Sequence, residues 1–238
     1  MWRDQFPPAP TNLERYAARF NCAEINSSFY RQHRFSTYAR WGATVPADFR
    51  FAVKVPRAIT HDQRLIATDV LLEVFLEEVA GLGDRLGPLL VQLPPSLSYE
   101  AAVTAEFLAT LRTLFTGDVV CEPRHQSWFT GDADALLATW RVSRAGADPA
   151  CHARAALPGG DPALAYFRLH GSPVMYRSNY SQPFLQGVAE RLRASSAAGA
   201  PCWCVFDNTT LGAATGNALE LAQLPGSQPC GRPGAARR

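Results

Sequence analysis

A chain of 238 residues, 47% hydrophobic and 18% charged, can bury a sizeable core and is neither a disordered nor a fibrous polymer. Its formal net charge of +2 does not by itself imply a nucleic-acid partner. No apolar run of about twenty residues and no charged-then-apolar leader is present. The six cysteines are scattered without zinc or disulfide spacing, so the expectation is a reduced, soluble, cytoplasmic protein with no membrane partner.

Taken in order, Asn12 to Phe20 reads as a short helix capped by Thr11 or Asn12, with Leu13, Tyr16, Ala17 and Phe20 at helical spacing. The strand that starts at Cys22 alternates faces: Ala23 and Ile25 share an apolar side, while Glu24 and Asn26 share the other. A carboxylate and an amide pointing together need a wet cavity or polar partners. Phe35 to Ala43 reads as a helix stopped by Val45-Pro46. Phe51 to Val55 is a strand, and Arg57, Thr60 and His61 sit in the loop after it. Val70 to Ala80 is an amphipathic helix expected to end at Gly81. Leu89 to Leu93 is a strand, Tyr99 to Phe115 a long helix, Val119 to Glu122 a strand and Asp132 to Thr139 a helix. Val142 to Ala147 forms a poorer strand ending at Asp148, and the Pro/Gly-rich stretch to Asp161 reads as a loop. Ala165 to Leu169, Phe184 to Arg193, Cys202 to Phe206 and Ala213 to Leu224 complete the alternation as strand, helix, strand and helix.

Seven strands alternating with seven helices imply a parallel sheet with right-handed crossovers. No Gly-x-Gly-x-x-Gly follows a strand, which weakens an open nucleotide-binding sheet. Polar residues end many of the strands: Glu24 and Asn26, Lys54, Gln92, Glu122 and Arg124, Asp148, Arg168 and His170, Asp207 and Asn208. Convergence at one mouth is the mark of a TIM (β/α)8-type barrel, here expected to lack its first strand because the chain opens on a helix. The expected organisation is one barrel domain over 1–224 and a frayed tail over 225–238.

Several segments carry a family resemblance: Glu24 to Tyr30, Phe51-Ala52-Val53-Lys54 with Ile59-Thr60-His61, Leu86 to Pro95, Glu122 to Trp128, Arg168-Leu169-His170-Gly171, and Phe206-Asp207-Asn208. Together and in this order they resemble the YecE-like family, domain of unknown function 72, from about Trp2 to Leu224. The resemblance implies a TIM barrel similar in outline to the xylose-isomerase and endonuclease IV type, and implies no assigned reaction. Departures from the family pattern are the absent opening strand of Gly-Thr-Ser-Gly-Trp type, a degraded stretch from Arg141 to Asp161, and an unrelated tail. An N-terminally truncated member, less stable for its unpaired strand edges or inactive, is therefore an expectation too.

The candidate catalytic residues are Glu24, Glu122 and His170, since two carboxylates in different environments can serve as acid and base. Lys54, Arg57, His61, Arg124, Arg168 and His170 form a cationic set suited to phosphate or carboxylate. Asn26, Tyr30, Gln92, His125, Trp128, Asp207 and Asn208 complete the expected substrate contacts, with Trp128 the preferred stacking residue. Gly171-Ser172 and Asn208-Thr209-Thr210 offer loop amides of the kind that hold phosphate in barrels. The competing reading is that the arginines only neutralise Glu24, Glu122, Asp148 and Asp207. A divalent metal would draw on Glu24, Glu122, His125, Asp148, His170 and Asp207, against crowding by Lys54 and two arginines; no cofactor is required. Cys121 faces the helices and reads as core. The expected function is an enzyme acting on an anionic, phosphorylated sugar-like or nucleic-acid substrate. The alternatives are a non-catalytic nucleic-acid-binding barrel and a metal-dependent hydrolase or isomerase.

Overall fold

The computed structural model describes residues 2–225; the expected tail, beyond Pro225, lies outside the described residues. Strands β1 (Cys22–Ile25), β2 (Arg50–Lys54), β3 (Leu86–Gln92) and β4 (Val119–Glu122) alternate with helices α2 (Phe35–Thr44), α3 (Asp69–Val79) and α4 (Ala101–Leu114), after an opening α1 (Asn12–Ala17). Helix α5 (Gly131–Thr139) leads to β5 (Val142–Arg144), β6 (Gly146–Asp148) and the two-residue β7 (Gly159–Gly160). Then come β8 (Ala165–Leu169), α6 (Gln182–Ala197), β9 (Cys202–Phe206) and α7 (Ala213–Gln223). Every expected helix is found, α1 shorter and α6 longer than the periodicity alone implied.

Local chemistry explains the boundaries. At α1, the Thr11 hydroxyl accepts from the Glu14 N–H at 3.2 Å and the Glu14 carboxylate accepts from the Thr11 N–H at 2.7 Å, a capping box that Asn12 does not supply. The expected stop of the third helix at Gly81 is corrected. Helix α3 ends at Val79 and the chain continues as a 3-10 turn over Ala80–Arg85, reversing at Gly83 with φ 53°. Gly81 serves closeness instead, because a Cβ there would meet the Phe35 carbonyl at the start of α2.

Parallel pairing runs β1–β2–β3–β4–β5. The run from Val142 to Asp148 then changes partner. The Ala145 N–H still donates to Cys121 O at 2.9 Å, but from Gly146 onward the strand lies against β8, which pairs with β9. One continuous strand thus hinges the two halves. The Pro/Gly-rich link is not a plain loop: it forms a 3-10 turn over Ala153–Ala156 and β7, which pairs antiparallel with β5. It folds around the buried Arg144, whose guanidinium binds Asp134 at 2.7 Å and the carbonyls of Arg154 and Leu157. Among the described residues no pairing joins β9 back to β1, so the sheet is TIM-like without hydrogen-bonded closure.

The sheet is buried on both faces, as parallel sheets are. Odd-numbered residues such as Phe51, Val53, Leu89, Val91, Val119 and Cys121 pack outward against α2–α5, and Ala165, Phe167 and Leu169 against α6 and α7. The alternate positions point inward: Ala52, Leu90, Val120 and Tyr166, and on β9 the odd-numbered Trp203, form a separate inner cluster with Ala145 and Leu164, and Cys22 and Val205 pack on it. Tyr166 and Trp203 stack there at 5.8 Å, and Gly87 leaves the space into which the Trp203 ring fits. Cysteines 22, 121, 151 and 204 are free thiols. No helix among the described residues is long and apolar enough to cross a membrane.

Candidate functional site

Two residues beyond the apolar layer, the same inward parity brings polar side chains together: Glu24 on β1, Lys54 on β2, Glu122 on β4 and Arg168 on β8. Ladder bonds carry the pattern past the strand ends. The His170 N–H donates to Asp148 O at 2.7 Å and the Asp207 N–H to Leu169 O at 2.8 Å, which aims both side chains into the same mouth.

Arg168 is the hub, 1% exposed. Its Nε and Nη2 donate to the two Glu24 oxygens at 3.0 and 2.6 Å, its Nη1 to Glu122 Oε2 at 2.6 Å, and its Nη2 also to Asp207 at 3.3 Å. Tyr166 OH donates to Glu24 Oε2 at 2.8 Å. The other Glu122 oxygen takes Arg124 Nη2 at 2.7 Å and His170 Nε2 at 2.9 Å. His170 Nδ1 stands 3.1 Å from Asp207 Oδ2, and Arg124 Nη2 is 2.8 Å from His170 Nε2. An imidazolium donates to both carboxylates. A neutral ring donates to Asp207 from Nδ1 and accepts from Arg124 at Nε2.

Electrostatics divide this assembly into a floor and a rim. Burial alone would raise the Glu122 carboxyl, but Arg168, then Arg124 and His170, outweigh it and hold it well below the usual carboxylate range. Asp207 is likewise lowered against burial by its His170 hydrogen bond and by Arg168. Burial disfavours the charge on Arg168, yet Glu122 and Glu24 raise its pKa well above the usual value, so it stays charged. Glu24, Glu122 and Arg168 are each 1% exposed in their side chains and His170 is 0%, so they form the floor. Asp207 at 20% and Arg124 at 14% reach the rim.

Lys54 also lies at the rim, 8% exposed, with Nζ 4.0 Å from the centre of the Phe29 ring. Burial, and then Arg168, lower its ammonium to about 8 against the pull of Glu122, Glu24 and Asp207. Among the described residues no hydrogen-bond or ion-pair partner is found for that nitrogen. Arg124 Nε, Asn26 Oδ1 and Asn208 Oδ1 are buried and unpartnered as well.

The remaining candidates divide sharply. His61 is near the rim, edge-on to Phe29 at 4.9 Å, and burial followed by Lys54 and Arg57 lowers its pKa. Gln92 shares the inward parity but turns its amide to Leu93 O at 3.0 Å. Tyr30 packs edge-on against Phe29 at 4.9 Å and is otherwise exposed. Arg57 points away and pairs with Asp62 at 3.1 Å. His125 caps the 3-10 turn Gln126–Trp128 through Ser127 and has no contact with the network. Trp128 does not serve as a stacking platform: it is 1% exposed in the helix-side core, donating to Leu97 O at 2.9 Å beside Cys121. Of the loop amides expected to hold phosphate, those of Gly171 and Thr210 are already used. Gly171 N–H donates to Tyr180 OH at 2.7 Å and Thr210 N–H to Tyr176 O at 3.1 Å. Asp148 accepts from Tyr180 OH at 2.7 Å, outside the Arg168 network.

The set proposed for a metal does not fit one, because a guanidinium already occupies the space among Glu24, Glu122 and Asp207. No group of three or more His, Cys, Asp or Glu able to hold a metal is found among the described residues. Tyr166, Tyr176 and Asn217 went unnoticed in the sequence. Tyr166 was detectable as the residue two before Arg168 on the same strand face. Tyr176, at φ 65° and edge-on to His170 at 5.8 Å, and Asn217, which receives Asn208 Nδ2 at 2.9 Å, come from loop geometry and a helix that leave no local signal.

Comparison with known proteins agrees with the fold. The family model described as "Protein of unknown function DUF72" matches residues 1–236. The chain belongs to this family. Among DUF72 relatives it is 35% identical over 129 residues to the UPF0759 protein YecE of Escherichia coli, strain K12 and O157:H7 alike. That match covers 53% of the chain and 47% of the relative, so the chain spans about half the length of the curated relatives it matches. The DUF72 family protein of Enterococcus faecalis V583 superposes with a TM-score of 0.77 at 22% identity, covering 89% of this chain and 92% of that one. The DUF72 family protein of Thermotoga maritima MSB8 gives 0.71 at 24% identity, covering 85% and 83%. At these identities the solved DUF72 structures speak for the fold alone.

Proposed function

We propose that this DUF72 chain is an enzyme whose mouth binds a small anionic molecule bearing hydroxyl groups, as a sugar phosphate does. The observation that carries this reading is the pattern of satisfied and unsatisfied groups. Every carboxylate of the floor is already bound, whereas the cationic Lys54 Nζ and Arg124 Nε have no protein acceptor and Asn26 Oδ1 has no donor. Buried polar groups left unmade are costly, and a ligand with acidic oxygens and hydroxyls satisfies both kinds. Arg124 suits the anionic group and Asn26 a hydroxyl.

The roles first expected of the carboxylates change under this reading. Glu122, ionised and closed off, positions Arg168, Arg124 and His170 rather than transferring protons to a ligand, and Glu24 holds the other side of Arg168. Proton handling moves to Asp207 and Lys54 at the rim, with His170 behind Asp207 as the relay.

A thermal-shift titration with ribose 5-phosphate, inorganic phosphate and ribose tests the proposal. Stabilisation by the phosphate compounds, lost in Arg124→Gln and retained in Arg57→Gln, is the expected pattern. Equal shifts with ribose and ribose 5-phosphate, or equal losses in both variants, would overturn it.

A further inference from the structure

Of the 23 basic side chains in the sequence, 22 are arginine and one is lysine, Lys54. Among the described residues arginine provides the cation at the surface pair with Asp62 and in both buried networks, including the hub at Arg168. A guanidinium stays protonated in proteins, whereas an amine can lose its proton and attack. The one amine of this kind sits at the carboxyl end of β2, where barrel-type folds keep their reacting groups.

We propose that Lys54 is a nucleophilic amine that forms a Schiff base with an aldehyde or ketone carbonyl of the ligand; this rests on the anionic-ligand reading above. Its surroundings fit that chemistry. Lys54 as a residue is 8% exposed; its Nζ lies over the Phe29 ring and has no carboxylate within ion-pair distance although three stand nearby. An ion pair would tie up its lone pair by keeping it protonated, and that pairing is given to Arg168 and Arg124 instead. The charged and titratable groups facing Lys54 are Arg168, Glu122, Glu24 and Asp207, with His61 on the following turn. Burial and Arg168 outweigh the three carboxylates and leave about a tenth of the amine unprotonated at pH 7.

The step balances without a redox partner. The neutral Nζ attacks the carbonyl carbon and a proton moves from nitrogen to the former carbonyl oxygen, giving a carbinolamine. Protonation of that hydroxyl expels water as the C=N bond forms, so one C=O is exchanged for one C=N and one water is released. Asp207, at the rim and one of the carboxylates acting on Lys54, is the group proposed to carry that proton from nitrogen to oxygen.

Reductive trapping tests this on the whole protein. The wild-type chain is incubated with D-glyceraldehyde 3-phosphate or with D-glyceraldehyde, reduced with sodium borohydride, and mapped by peptide mass spectrometry. Because Lys54 is the only lysine, any ε-amine adduct is on it, and the α-amino group is resolved by its peptide. The expected result is an adduct on Lys54 whose rate exceeds that of Nα-acetyl-lysine by more than about tenfold at pH 7.5. The free-amine fraction at a pKa near 8 is on the order of a hundredfold larger than for an ordinary lysine. The rate should rise with a midpoint near pH 8 and be faster with the phosphorylated aldehyde in a manner lost in Arg124→Gln. A Lys54 rate equal to that of Nα-acetyl-lysine, or an adduct confined to the N-terminus, would overturn the proposal even if ribose 5-phosphate still stabilises the protein. Fast trapping that ignores the phosphate would uphold the amine and remove the anionic-ligand reading.

Discussion

At the scale of the residue, Arg168 and Lys54 show how burial sorts two cations into different roles. Arg168 saturates three carboxylates from three strands, so replacing it strands charge in the floor. Arg168→Met is expected to cost about 3–5 kcal/mol, the range for breaking a buried pair from one side, and urea denaturation measures it. Lys54 has the opposite balance. Its pKa falls from the ordinary lysine value of 10.5 in the unfolded chain to about 8 in the fold, so the native state loses its proton first. Between pH 8 and about 10 the unfolded chain binds more protons, and stability must rise with pH across that window. The shift corresponds to about 3 kcal/mol at most. Lys54→Met should therefore be more stable than wild type near pH 7, with the difference shrinking towards pH 10. A variant that is less stable at pH 7 would mean that the ammonium has an unrecognised partner. This contrast was not legible in the sequence: both residues ended strands on the inward parity, and only the geometry separates the one that is bound from the one that is not.

At the scale of the element, the alternation of strand and helix was readable because short apolar runs such as Phe51 to Val55 and Leu89 to Leu93 are separated by stretches with helical spacing such as Val70 to Ala80. What misled was chemistry with two meanings. Gly81 looked like a helix terminus, but the chain turns at Gly83 and Gly81 lets α2 approach. Gly81→Ala is expected to destabilise by about 1–3 kcal/mol through that overpacked contact, again by denaturation, whereas a terminus would tolerate it. Trp128 was assigned to the mouth because its neighbours in sequence are polar, yet the 3-10 turn rotates it into the core behind β4. Likewise part of the polar look of Arg141 to Asp161 comes from Arg144, a buried charge met by Asp134 and two carbonyls. The gathering of Glu24, Lys54, Glu122 and Arg168 as polar residues at strand ends was legible; which of them reach a ligand was not, since that depends on side chains from other strands.

At the scale of the whole molecule, the floor is also a cross-brace. Arg168 ties β8 to β1 and β4, and His170 ties β8 to β4 and the end of β9, across a sheet whose outer strands lack a second partner among the described residues. Glu122 and Asp207 have folded pKa values held below their unfolded ones, so their contribution is complete above about pH 4 and is lost as pH falls through the folded values. Acid should accordingly unfold the protein in a step that Arg168→Met removes, as followed by tryptophan fluorescence against pH; an unchanged acid midpoint in that variant would mean the brace carries no stability. The same brace leaves Arg124, Lys54 and Asn26 as the groups with capacity to spare. The most direct measurement of what they are for is a crystal structure of the wild-type chain with ribose 5-phosphate. The expected result is a phosphate on the Arg124 guanidinium, with a sugar hydroxyl on Asn26 Oδ1 and Lys54 Nζ against the ligand. A ligand bound elsewhere, with Lys54 Nζ and Arg124 Nε still lacking an acceptor, would contradict it.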